Sequence, residues 1–224
     1  MAGAFNNDSG FRGKLKLSNN MKTIHEYCFF GCRGFTGKLV LPDNLVGVKK
    51  QGLDALENVT GPVVIPDTVV YLEDYAFSAC TSLKSVCLQN TSLNKIQAGV
   101  FYGCSSLADV RLPQTLSFIG NNAFKDCVSL SYIPFPQKLE RIGDDAFRAC
   151  TSLKRISFPE GFHTLGSRAF DVCTNLESVS FPSTLRYIGY WAFGACKKLK
   201  GDIVLPEGFT EMMAGAFREC ESIT

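Results

Sequence analysis

The segments AFKDCVSL, AFRACTSL, AFDVCTNL and AFGACKKL recur every 23 residues, and no other property of the chain restricts its fold as much. Their aromatic residues are Phe124, Phe147, Phe170 and Phe193. Continuing at 23 or 24 reaches Phe101, Phe77, Leu53, Phe29 and Phe5 in one direction and Phe217 in the other, so nine of ten positions are Phe. A period of this length belongs to a stacked array in which each unit contacts only its neighbours.

Further columns keep the same register. The residue before the Phe is small, as at Ala76, Ala123, Ala146, Ala169 and Ala192, and three after it stands Cys in eight of ten repeats, from Cys32 to Cys220. Six after it the residue is always apolar, for example Leu107, Leu130 and Leu153. An alternating pair follows (Ile156 and Phe158, Val179 and Phe181), then usually a proline such as Pro113, Pro136, Pro159 or Pro182. Two more apolar columns run through Leu116, Leu139 and Leu185, and through Ile119, Ile142 and Ile188. The 18 Phe and 10 Cys are thereby explained largely by position.

One such unit cannot offset its own ordering entropy, whereas stacked copies bury each column from both sides. The alternation in KRISFP and ESVSFP predicts a short first strand with one face inward, ended by a proline that has no N–H for a ladder. TLRYIG and KLERIG predict a second short strand. Gly120, Gly143, Gly166 and Gly189 then suit a turn with positive φ, and AFxxC a 3₁₀ or helical turn that returns the chain. About ten repeats at the strand spacing of roughly 4.8 Å make a rod on the order of 45–50 Å long. The 24-residue units carry a glycine insertion before the strand (FTGKLVLP, VTGPVVIP, LKGDIVLP), or an extra residue in LQNTSL. The stack is expected to be loosest at residues 49–58, where Leu53 replaces Phe.

With these columns in place, RIGDDAFRACTSL and YIGYWAFGACKKL resemble the BspA-like, or Treponema-type, leucine-rich repeat nearly residue for residue, and the likeness covers essentially the whole chain. The expected fold is therefore a leucine-rich-repeat solenoid, β-rich with short strands and 3₁₀ or helical turns, in one domain over residues 1–224. The register begins and stops in mid-repeat, so this domain is expected to be a piece of a longer array. The resemblance implies a cell-surface or secreted location and adhesion to a host protein or glycan. It assigns no site residue.

Composition and motifs narrow the chemistry. A net charge of +2 offers no concentrated basic face for nucleic acid, and no apolar run approaches the roughly 18 residues that insert in a membrane. Catalysis has no support. The two histidines, His25 and His163, lie at variable positions, and no G-x-S-x-G, Walker loop or H-E-x-x-H occurs. Asp144 and Asp145 could be paired carboxylates, but the equivalent positions vary freely, as a solvated face does. His25, Cys28 and Cys32 loosely resemble part of a zinc site, yet both thiols fall in packing columns. No metal or cofactor is expected. The cysteine column reads as a ladder of free thiols acting as small hydrophobes, because parallel Cβ vectors disfavour disulfides along it. Cys87, between the inward Val86 and Leu88, is the expected exposed thiol.

The repeating columns are consumed by packing, so a binding partner must be met by the variable ones. On the first strand these outward candidates are Arg111, Tyr132 and Arg155. On the second strand and its turn they are Tyr71, Phe118, Arg141, Tyr187, Tyr190 and Trp191, the last three being the densest group. Exposed aromatics beside arginine are typical interface hot spots. The expected function is a non-catalytic binding module for a protein or glycan. An intracellular interaction scaffold, which a long unpaired thiol ladder suits, and a structural spacer array are the alternatives.

Overall fold

The computed structural model describes residues 3–8 and 10–223; residues 1, 2, 9 and 224 of the expected domain lie outside the described residues. The chain is a parallel solenoid in which successive coils pair strand on strand. The first-strand ladder joins Gly37–Lys38, Val59–Val64, Leu83–Cys87 and Asp109–Arg111, and resumes as Arg155–Ser157 with Ser178–Ser180 and as Lys200–Gly201 with Ser222–Ile223. The second-strand ladder joins Thr23–Ile24, Gly47–Val48 and Tyr71–Leu72, then runs through six strands from Lys95–Ile96 to Glu211–Met212. Its register repeats by coil: Phe118, Arg141, Thr164 and Tyr187 share one outward column, and Ile119, Ile142, Leu165 and Ile188 the inward one.

The columns meet inside. Phe77, Phe101, Phe124, Phe147, Phe170 and Phe193 are all fully buried. Their rings stack along the axis, with centroids 5.1 Å apart on either side of Phe147 and interplanar angles of 8° and 2°. A second aromatic ladder, Phe135, Phe158 and Phe181, meets the first edge-on. Each such pair contributes about 0.5–1.5 kcal/mol beyond burial of its area.

The returning segment is not the expected helical turn; no helix occurs among the described residues. Asp145, Phe147 and Ala149 donate their N–H groups to Ser167, Ala169 and Asp171 one coil on. The N–H groups that alternate with them turn back within the coil, as Ala76 does to Glu73, Ser78 to Tyr75 and Cys104 to Phe101. Left-handed residues stand two before and two after the column Phe, for example Asp145 (φ 54°) and Ala149 (φ 58°). A helix would direct every N–H along its own axis and leave none for the next coil. Linked β-turns with φ > 0 at their third residue direct alternate N–H groups outward and form a third ladder.

Gly120, Gly143, Gly166 and Gly189 are absent from the positive-φ positions, contrary to expectation. Their reason is space: a Cβ on Gly166 would lie 2.5 Å from the Gly143 carbonyl carbon and 2.7 Å from Asp144 N. Positive φ belongs instead to the inserted Gly37, Gly61 and Gly201, with a register shift of the ladder at Gly61 and Pro62. These insertions are bulges that absorb the extra residue of the 24-residue coils.

The cysteine column does more than fill space. Cys104 Sγ donates to the Phe77 carbonyl at 3.1 Å, Cys127 to Phe101 at 3.2 Å, Cys150 to Phe124 at 3.1 Å and Cys173 to Phe147 at 3.2 Å. The carbonyls of Phe101, Phe124 and Phe147 already accept the N–H of Cys104, Cys127 and Cys150, so the thiol of the next coil is a second donor to each. Burial pushes the Cys80 thiol up to about 12 and raises those of Cys104, Cys127, Cys150 and Cys173 as well.

The coil around Leu53 is closed on both sides. Phe29 donates to Gly52 and Leu53 to Ala76, and both Leu53 and Leu56 are fully buried. Leucine interrupts the ring stack there and leaves the backbone ladder whole.

Candidate binding surface

The first-strand ladder has a gap. Residues 131–135 (SYIPF) form no strand, and no backbone hydrogen bond joins residues 132–135 to a neighbouring coil. Pro134 is the cause: its nitrogen stands where an N–H should donate across the ladder. The N–H of the following residue, which elsewhere donates as Leu88 does to Arg111 and Phe158 to Ser180, is likewise unpaired across the ladder at Phe135. The interior is undisturbed, because Ile133 is buried and Phe135 stacks on Phe158.

Two adjoining clefts of about 300 and 360 Å³ flank this coil, sharing Pro134, Phe135 and Gln137. Gln89, Gln114 and Arg111 border one; Tyr132 and Glu160 border the other. Tyr132 is 62 % exposed. Arg155 lies on the same face, exposed, in the coil that follows. Arg111 is tied only loosely to Asp109, at 3.8 Å with both side chains largely exposed. Three predicted residues, Arg111, Tyr132 and Arg155, therefore come together around the gap. Sequence reading missed the amides of Gln89, Gln114 and Gln137; a proline inside an alternating strand was the available signal.

The second-strand candidates are placed differently. Trp191 is half-buried, with the Arg218 guanidinium 4.4 Å above its ring and Gly215 against its edge. Tyr71 lies flat over Gly47, where no side chain could fit beneath it, and its hydroxyl is 3.3 Å from Thr23 Oγ1. Arg141 covers the Phe118 ring at 5.9 Å. These four side chains bridge or cover neighbouring coils. Tyr187 is half-buried, and its phenol is raised by burial and by the nearby Glu211 carboxylate; Tyr190, close to it, is 50 % exposed.

Asp144 and Asp145 are not simply a solvated face. Asp144 Oδ1 accepts from Ser167 N at 2.7 Å, as Asn121 Oδ1 does from Asp144 N at 2.9 Å and Asp74 Oδ1 from Ala98 N at 3.1 Å. Asp145 lies 3.4 Å from Arg148 and 3.9 Å from Lys125, while Arg148 also reaches Asp171 at 3.2 Å. These carboxylates secure one coil to the next. His25 is exposed whereas Cys28 and Cys32 are buried, so the sequence neighbours are parted. No cluster able to hold a metal occurs among the described residues. Cys87 is half-buried, in register between Val64 and Arg111, and so is less open than expected.

Comparison with known proteins places this architecture. The family model described as BspA type leucine-rich repeat region (6 copies) matches residues 2–131 and 118–224. A leucine-rich repeat protein of Treponema pallidum has a similar structure, at 32 % identity over 83 % of this chain and 86 % of that one, with a TM-score of 0.70. A leucine-rich repeat protein of Eubacterium ventriosum is similar at 22 % identity over 92 % and 64 % of the two chains, TM-score 0.70. A leucine-rich cell surface protein of Faecalibacterium prausnitzii is similar at 22 % identity over 99 % and 74 %, TM-score 0.53. No curated protein matches.

Proposed function

Because the chain belongs to the BspA-type leucine-rich-repeat family, we propose that it is the binding module of a cell-surface or secreted adhesion protein, taking a host protein or glycan on its first-strand face. The observation that carries this reading is the exposed cluster at the ladder gap. The Tyr132 hydroxyl, the Arg155 guanidinium and the amides of Gln89, Gln114 and Gln137 make no hydrogen bond or ion pair among the described residues. Tyr132 and the three glutamines line the two clefts and Arg155 stands exposed in the coil that follows, whereas Trp191, Arg141, Phe118 and Tyr71 are engaged with neighbouring coils. An aromatic flanked by arginine and planar amides suits hot-spot contact with little ordering cost. Nothing in the arrangement pairs a nucleophile with a base, and a non-catalytic role is part of the proposal.

The free thiols do not argue against an oxidising compartment. Burial disfavours the thiolate that oxidants attack, so most of the column is protected wherever the protein resides. The test is binding of the purified chain to a panel of extracellular matrix proteins and mucosal glycans, with Tyr132→Ala and Trp191→Ala alongside. Saturable binding lost in Tyr132→Ala and retained by folded Trp191→Ala supports the proposal. Loss only in Trp191→Ala moves the site to the second-strand turn. No binding by the parent chain overturns adhesion to these ligands and favours the scaffold or spacer readings.

A further inference from the structure

The first coils hold a second, independent feature on the same face. A groove of about 700 Å³ lies across them, larger than either cleft at the ladder gap. Its origin can be followed from the sequence. Glycine precedes lysine twice, at Gly13 and Lys14 and at Gly37 and Lys38, at the bulges of 24-residue coils. Gly37 leaves room for the Lys14 stem, whose Cγ lies 3.5 Å from where a Cβ would be; Gly61 does the same for Lys38, at 3.0 Å. The two lysines therefore follow the axis one coil apart.

Lys16 joins them, and all three are exposed and form no ion pair among the described residues. Among the described residues no carboxylate lines the groove. Its floor is aliphatic, from Leu15, Leu17 and Leu41, and beside it Val40 is 72 % exposed and Val64, on the next coil, 61 %. Uncompensated ammonium groups over aliphatic ground define the complement. The occupant must carry negative charge and also bury apolar side chains, spaced so that both are met at once.

We infer that this groove binds an extended peptide segment in which acidic and aliphatic residues alternate. An extended backbone presents successive side chains to opposite sides, so carboxylates can reach the lysines while Val or Leu side chains meet the floor. A sulfated polysaccharide would satisfy the charge but leave the aliphatic floor and the exposed valines without a partner. The aliphatic ground decides between them.

Fluorescence anisotropy of the full chain with labelled decapeptides tests this. The probes are a Glu/Val alternating peptide, a Glu/Ser peptide of equal charge and a Lys/Val peptide, with a sulfated oligosaccharide as competitor. The Glu/Val peptide should bind, weakening as salt rises, and neither control peptide should match it. Replacing Lys14, Lys16 and Lys38 together by Gln should weaken binding by about threefold to a hundredfold, the combined effect of three exposed ion pairs. Because all three side chains are exposed, the melting temperature should hold; Val40→Asp, a second variant, should also weaken the Glu/Val peptide. Equal binding of the Glu/Ser peptide, or full displacement by the sulfated oligosaccharide, overturns the peptide assignment in favour of a general polyanion site. No binding, or binding indifferent to the lysines, overturns the site itself. Self-association of the chain that the lysine variant abolishes overturns it in favour of a second copy.

Discussion

Replacing Gly166 by alanine tests the packing of one coil on the next. The new methyl carbon would lie 2.5 Å from the Gly143 carbonyl carbon, 2.7 Å from its oxygen and 2.7 Å from Asp144 N. Carbon atoms settle about 3.5–4.0 Å apart, so the two coils must separate locally by about 1 Å. That motion stretches the bond from Gly166 N to Ile142 O, now 2.8 Å, and that from Ser167 N to Asp144 Oδ1, now 2.7 Å. Overpacking of this kind costs about 1–3 kcal/mol, and the upper end applies because backbone on both sides cannot swing away. The less flexible unfolded chain returns about 0.4–1 kcal/mol, leaving a net loss of about 2 kcal/mol. Gly161 is the control, since φ there is +95° and a Cβ meets nothing within 4 Å. At Gly166 bulk decides, and stability should fall in the order Gly, Ala, Asn. At Gly161 backbone conformation decides, and Asn should be tolerated better than Ala. Urea unfolding, followed by the single tryptophan, Trp191, and by circular dichroism, gives the midpoints to compare. A Gly166→Ala midpoint at or above the parent's, or the same order at both sites, would refute the close-approach reasoning.

Phe147→Ala should cost about 4 kcal/mol in the same assay, since it removes a fully buried ring stacked on both sides and met edge-on by Phe135; a loss below about 1 kcal/mol would contradict the ring column. Alkali should destabilise the fold through the thiols. An unfolded thiol ionises near its ordinary 9.0 while the folded Cys80 holds its proton up to about 12, so stability is intact below about 9 and falls between those values. The slope should reach about 1.4 kcal/mol per pH unit for each thiol fully within its window. Cys104→Ala should flatten the fall, and a stability equally pH-dependent with and without that thiol would sink the assignment.

How much was legible in advance depended on whether a residue's reason repeats along the chain. The inward columns do repeat: Phe124, Phe147 and Phe170 recur because each must meet its own copy one coil away, and the period alone exposes them. The same logic located the proline stops and the inserted glycines at 37, 61 and 201. A residue whose reason lies in a single contact left no such trace. Arg111, Tyr132 and Arg155 were legible only as outward residues of the first strand, and Trp191 could not be told from a free aromatic until Arg218 was seen above it.

Periodicity by itself therefore determined the solenoid, its register, its core and the division between inward and outward residues, because hydrophobic burial acts on every coil alike. Only the tertiary structure decided how adjacent coils touch. It assigned the glycine column to close backbone approach and gave the cysteines a carbonyl of the preceding coil to donate to. It replaced a helical return by linked turns, since those alone send alternate N–H groups to the next coil. It also turned Pro134, one residue among many in the alternating pattern, into a gap in the ladder. Each of these rests on distances between residues about 23 apart, and such distances exist only once the coils are stacked.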